Sequence, residues 1–184
     1  MPDNKVQFGL KNVHIAPMED DGTYGDIFAL EGAVNLQLDA EGEESNFAAD
    51  DNAKYFSRFT NNGYSGSLEV ALINEDFFTK ILGQIKDSNG VLSENVNDVV
   101  KKFALMFEVD GDVKKSRYVY YNVSVSRPSF EAATVEESIE PQTQTLDMTA
   151  SQNANGFTRS KVEAGETAYD TFFTSVYTPT NVSL

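Results

Sequence analysis

The sequence predicts a mainly β fold, an antiparallel β-sandwich with one flanking α-helix. Several short segments alternate apolar and polar side chains with the two-residue period of half-buried strands. Asn-Gly and Asp-Gly dipeptides punctuate them as turn signals. One stretch alone combines a helix cap, an acidic first turn and a well-marked apolar stripe. Half-buried strands joined by turns favour an antiparallel sandwich over a parallel sheet.

In chain order, "GAVNLQLDA" (32–40) sets Val34, Leu36 and Leu38 against Asn35, Gln37 and Asp39. "GSLEVALI" (66–73) sets Leu68, Val70 and Leu72 against Ser67, Glu69 and Ala71. In "FALMFEV" Phe103, Leu105, Phe107 and Val109 share a face. After the Asp110-Gly111 turn, "RYVYYNVSV" places Val119, Tyr121, Val123 and Val125 together. "TQTLDMTA" opposes Leu146 and Met148 to Thr143, Thr145, Asp147 and Thr149.

The helix begins at Asn74, with Glu75 and Asp76 where the helix dipole favours negative charge. Phe77, Phe78, Ile81 and Leu82 form its apolar stripe and Gly83 ends it. A second helix is expected in "TAYDTFFTSVY", with Tyr169, Phe172, Phe173, Val176 and Tyr177 at helical spacing. It would dock a C-terminal arm, 151–184, on a body that the arm does not join by strand pairing.

Residues 41–66, "EGEESNFAADDNAKYFSRFTNNGYSG", read as a long loop between two strands that otherwise resemble a hairpin. Phe47, Tyr55, Phe56, Phe59 and Tyr64 make it too aromatic for a solvated linker. Such apolar surface is expected to dock, in this chain or on a neighbour.

The chain's 184 residues suit one domain, 1–184. Having no cysteine, it has no disulfide, thiolate metal site or cysteine nucleophile. A single histidine, His14, argues against a His-based metal site or a Ser-His-Asp triad, and is expected on an edge strand. The 29 acidic and 14 basic residues, net charge −15, repel nucleic acid at long range, and no basic patch reverses the sign. "MPDNKVQFGLKNVHIAPM" has no continuous apolar core, so no signal peptide is expected, and no apolar run is long enough to cross a membrane. The sequons at Asn122 and Asn181 are therefore read as chance matches.

"MEDDGTYGD" (18–26) and the stretch around Asp110 and Asp112 lack the ligand spacing of a calcium loop and read as solvated turns. Paired carboxylates are plentiful, but the chain has no tryptophan to stack a sugar. No glycine-rich phosphate loop precedes a helix. The expectation is a protein without catalysis, metal or cofactor.

Taken in order, "KVQFGLKNVHIAP", "NNGYSGSLEVALI" with "DFFTKILG", "FALMFEVDGD", "SRPSFEAATVEESIEPQTQTLDMTAS" and "AYDTFFTSVY" resemble a known family. It is the major tail protein, or tail tube protein, of long non-contractile tailed phages (siphophages). The resemblance spans Lys5 to Tyr177 and rests on the ordered set rather than on one motif. "EGEESNFAADDNAKYF" is similar in kind to the long loop that the family carries between the same two strands.

The resemblance implies a virion protein, made in the host cytoplasm, whose hexameric rings stack into a hollow tail tube. Each subunit lends strands to an inner barrel, while the long loop and terminal arms bridge neighbours and successive rings. The implied partners are further copies of itself, a tape-measure protein, tail-end proteins, and phage DNA that passes through the lumen without specific binding; no membrane is involved. Phe47, Tyr55, Phe56, Phe59 and Tyr64 are then candidate inter-subunit residues.

Asn35, Gln37, Asp39, Ser67, Glu69, Thr143, Thr145, Asp147 and Thr149 are candidate lumen-facing residues, and no Lys or Arg interrupts them. Such a wall offers DNA phosphates no counter-ion site. A solvent-facing antiparallel strand looks the same, and periodicity leaves open which outer face lines a lumen. Two other readings remain. The tube of a contractile injection or secretion machine shares the ring architecture, and an immunoglobulin-like adhesion module needs an export signal and an exposed aromatic patch.

Overall fold

The computed structural model describes residues 8–111, 113–132, 134 and 142–179. Its elements are β1 (Leu10–Pro17), β2 (Phe28–Ala29), β3 (Ala33–Glu41), β4 (Glu44–Ala49), β5 (Asn52–Phe59) and β6 (Gly63–Val70). Helix α1 (Glu75–Lys80) follows, then β7 (Ile85–Lys86), β8 (Leu92–Ser93), β9 (Phe103–Val109), β10 (Arg117–Val125), β11 (Gln144–Ala150) and β12 (Arg159–Val162). The fold is mainly β, as expected, with antiparallel sheets and one short helix.

Eight strands form one antiparallel sheet in the order β2-β1-β9-β10-β11-β6-β3, with β12 added beside β10. β10 divides one edge between two partners, β12 along Arg117–Tyr120 and β11 along Val123–Val125. The sheet folds over, so side chains of β1, β9 and β10 pack against those of β6 and β11. Ile15, Phe103, Leu105, Val123, Leu68, Val70 and Leu146 are fully buried in this sandwich core.

Helix α1 fills the core from one side. Asn74 Oδ1 accepts from Phe77 N at 3.0 Å, while its Nδ2 donates to the Ala29 carbonyl at 2.8 Å. One side chain thus caps the helix and ties it to β2. Phe77 meets Phe103 edge-on at 5.8 Å between ring centroids, and Ile81 and Leu82 are buried beside it. The helix stops at Lys80 with Ile81 as its C-cap, and Gly83, with φ 78°, turns the chain just beyond it in a left-handed conformation.

Several expectations need correction. The ladder slips between Ala33 and Asn35, so Ala33 packs on the core while Val34 faces out. β6 stops at Val70 and the chain bends, leaving Leu72 71% exposed and burying Ile73 instead. In β10 the register against β9 shifts between Tyr120 and Val123, where Asn122 has φ 44°. That bulge reverses the inward face. Val119 and Tyr121 join a second apolar layer, while Tyr120, Val123 and Val125 join the sandwich core. His14 does not sit on an edge, because β1 is paired on both sides.

The C-terminal arm also differs. Residues 167–174 form successive turns, with Tyr169 N bonded to Glu166 O, Phe172 N to Tyr169 O and Thr174 N to Thr171 O. These are three-residue closures rather than α-helical ones, in a segment rich in β-branched Thr and Val that favours helix poorly. The arm does pair with the sheet, through β12. Its docking is as expected: Phe172 is buried, and Tyr169, Phe173, Val176 and Tyr177 pack with it against Ala104, Met106, Val119 and Tyr121.

Glycine is needed at Gly66, opposite Leu38 in the β3–β6 ladder. A Cβ at Gly66 would stand 2.0 Å from the Gln37 carbonyl oxygen. Replacing Gly66 by Ala must push β3 off the ladder, so Gly66→Ala is expected to lower stability by about 1–3 kcal/mol. Urea unfolding would show a lower midpoint at unchanged slope.

Candidate functional site: a polar sheet face and an aromatic hairpin

β11, β6 and β3 lie side by side, so all the candidate lumen residues fall on one surface. The registers align Thr145, Glu69 and Asn35 in one row and Asp147, Ser67 and Gln37 in the next. Thr149, Ser65 and Asp39 form a third row. Strands lie about 4.8 Å apart and same-face residues about 6.6 Å along each strand. Thr143 just precedes β11, and its Oγ1 donates to Glu69 Oε1 at 2.6 Å. Sequence reasoning missed Ser65 and Glu41, which extend the face by the same period; Ser65 Oγ bonds the Glu41 carboxylate.

None of the three strands contains Lys or Arg. Asp39, Glu41, Glu69 and Asp147 form no ion pair among the described residues. Neutral donors hold three of them: Gln37 Nε2 donates to Asp39 at 2.9 Å, beside the Thr143 and Ser65 bonds. Negative charge therefore stays on the surface uncompensated. At physiological salt its field fades over about 8 Å, so it acts on whatever passes close by.

The segment between β3 and β6 is itself a β-hairpin rather than an irregular loop. β4 and β5 pair from Glu44–Phe59 to Ala49–Asn52, and Asp50 and Asp51 turn the chain with φ 51° and 60°. Two successive left-handed residues make a type I′-like turn, here built from Asp-Asp in place of Asn-Gly. Thr60 N to Glu43 O at 2.9 Å and Asn62 N to Glu41 O at 2.8 Å carry the bonding on into the β3–β6 ladder. The result is one long ribbon projecting from the sandwich.

Phe47 and Phe56 are cross-strand partners on one hairpin face, and the alternation puts Tyr55 and Phe59 on the other. All four are between 57% and 73% exposed. A two-stranded hairpin is marginal in water without something to cover it. Tyr64 is not part of this surface. It lies in β6, edge-on to Tyr120 at 5.0 Å, at the rim of the core.

The opposite outer face, on β1, β9 and β10, is covered by the C-terminal arm. The Arg117 guanidinium lies 3.9 Å from the Tyr169 ring centroid and 4.6 Å from that of Phe173. Its Nε pairs with the buried Glu108 carboxylate at 3.1 Å, and Nη1 donates to the Tyr169 carbonyl. His14 stacks on Phe173 at 4.9 Å. Tyr121 donates its hydroxyl proton to the Tyr177 carbonyl at 2.7 Å and lies 2.8 Å from Ser160 Oγ.

The acidic segment 18–26 is a turn in which Asp21 accepts from Thr23 N at 2.9 Å and Thr23 Oγ1 at 2.6 Å. Among the described residues no three His, Asp or Glu side chains are placed to hold a metal ion. Asp112 and Asn181 lie outside the described residues. Asn122 Nδ2 is bonded to the Gln152 carbonyl at 2.5 Å.

Burial pushes the Tyr121 phenol up to about 12 from its ordinary 10.0. A raised phenol favours the folded form while protonated. That contribution is complete below pH 10 and is lost as pH rises toward 12. Proteolysis of the arm is therefore expected to accelerate over that interval in the wild type. In Tyr121→Phe the phenol's share of the rise should disappear, with faster cleavage already at neutral pH because the Tyr177 carbonyl loses its donor.

No protein-family model and no curated protein matches the sequence. Among solved structures, the chain is similar to the cap that terminates the tube of the anti-feeding prophage, determined by cryo-electron microscopy. The identity is 12% and the TM-score 0.44, over 88% of this chain and 96% of that one. A likeness of that degree leaves function to be argued from the surfaces themselves.

Proposed function

We propose that the chain is a structural subunit of a phage tail tube of the siphophage type, assembling as hexameric rings that stack into a hollow conduit. The observation that carries this reading is the pairing of a polar face whose strands hold no Lys or Arg with a projecting aromatic hairpin left exposed among the described residues. The polar face of β3, β6 and β11 lines the lumen. There, carboxylates and hydroxyls give DNA phosphates nothing to neutralise them, so the duplex slides past without binding. The hairpin bridges to a neighbouring copy, which covers Phe47, Tyr55, Phe56 and Phe59. Neighbours also pair with the outer edge of β3, which no strand covers among the described residues, removing an edge that would otherwise recruit strands at random.

The role is mechanical rather than catalytic and needs no cofactor. Its setting is the virion, after synthesis in the host cytoplasm, with a tape-measure protein and tail-end proteins as further partners. Hexameric symmetry and the phage setting come from the sequence resemblance; the polar face and the hairpin supply its physical support.

Negative-stain microscopy of concentrated protein tests the reading. The wild type should form rings or hollow tubes, while a variant with residues 44–59 replaced by Asn-Gly should remain folded and monomeric. A wild type that stays monomeric at every concentration overturns the proposal, and tube growth by the shortened variant removes the hairpin from it.

A further inference from the structure

Two groups of exposed apolar side chains stand at the two ends of β6. At the Gly63 end stands the aromatic hairpin. At the Val70 end, Leu72 is exposed, α1 begins, and the excursion from β7 to β9 carries Val96 and Val99, 94% and 76% exposed. The Lys86–Glu75 pair at 2.8 Å joins this excursion to the start of α1, and the Arg127–Glu94 pair joins it to the chain leaving β10. Lys101 N bonds the Ile81 carbonyl at 2.8 Å, and Lys101 Nζ bonds Glu19 at 3.0 Å. Val96 and Val99 are thus presented by a fixed segment.

Each end presents a charged side chain, Arg58 at one and Asp98 at the other, that appears in no ion pair among the described residues. Arg58 shares a hairpin face with Phe56 and, across the ladder, with Phe47. Acids outnumber bases 29 to 14, yet Arg58 has no ion pair among the described residues. The other arginines are engaged: Arg117 with Glu108, Arg127 with Glu94 and Arg159 with the Tyr120 hydroxyl. At the far end Asp98 lies between the two exposed valines. Its Oδ2 accepts from Asn95 N at 2.7 Å, and it too has no ion pair among the described residues.

We propose that the Phe47–Phe56–Arg58 face of one copy docks on the Val96–Asp98–Val99 surface of the next copy, with Arg58 meeting Asp98. The inference rests on the reading that copies associate through the hairpin, and it names the surface that receives it. Aromatic rings against aliphatic side chains exclude water, and the guanidinium and carboxylate set the register. Because donor and acceptor occupy opposite ends of the subunit, the contact is heterologous. A bound pair keeps one free hairpin and one free acceptor, so association continues beyond a dimer until geometry closes it.

Sedimentation velocity of the full chain, with Arg58→Asp, Asp98→Arg and the double variant, tests the contact. Each single change opposes like charges and should weaken self-association about tenfold or more, while the double variant restores attraction and recovers most of the loss. Singles that behave as wild type, or a double variant no better than the weaker single, overturn the proposal. Because the chain has no cysteine, a second measurement is clean. Arg58→Cys and Asp98→Cys chains, mixed and oxidised, should form a cross-linked heterodimer, and its absence in an associating mixture also overturns the contact. The two readings fail differently. A monomeric wild type removes both, whereas hairpin-dependent association that ignores the charge series and gives no cross-link removes only this acceptor.

Discussion

The packing of the C-terminal arm against β1, β9 and β10 decides which outer face of the molecule stays wet. Phe172 is buried against Met106, Val119 and Tyr121, and Arg117 is held between Tyr169, Phe173 and the buried Glu108. Remove that layer and the outer side of the central strands exposes Ala104, Met106, Val119 and Tyr121, while their inner side stays packed in the sandwich core. With the arm in place, one outer face is closed. The polar face of β3, β6 and β11 is left open to solvent or to a lumen.

That asymmetry gives the polar face its meaning. An isolated alternating strand with Thr, Asn and Asp outward is ordinary. Here adjacent strands keep the pattern in register, and none contributes a lysine or arginine. Protein–DNA affinity comes largely from cations that displace phosphate counter-ions, so a surface without them is a poor binder and a good wall. The ribbon that extends two of these strands ends in exposed rings. The acidic face is therefore continuous with a ribbon of exposed aromatic side chains.

Much of this was legible in the sequence, and the failures have local causes. The two-residue period placed Asn35, Gln37, Ser67, Glu69, Thr145 and Asp147 correctly relative to their strands, and Asn74 marked its helix. Periodicity cannot foresee a bulge, so Val34 and the pair Val119 and Tyr121 were assigned to the wrong face. In each case the backbone slips by one residue, at Ala33–Asn35 and at Asn122. The hairpin was hidden because its turn is Asp50-Asp51, a less familiar left-handed pair than Asn-Gly, and because aromatics on both faces of β4 and β5 erase the alternation. The arm's helical spacing was real as a pattern of burial, yet Thr167, Thr171 and Thr174 favour turns over helix. Which strands are neighbours was not written in any single segment; it emerges only from the sheet order.

Cryo-electron microscopy of the assembled protein tests the central claim most directly, because it locates both outer faces relative to the assembly axis. The expected result is a hollow polymer with the Asn35–Glu69–Thr145 row turned toward the axis and the C-terminal arm, with Phe172, on the far side. A polymer whose lumen is lined by the arm, with Glu69 and Asp147 on the outer surface, would contradict it.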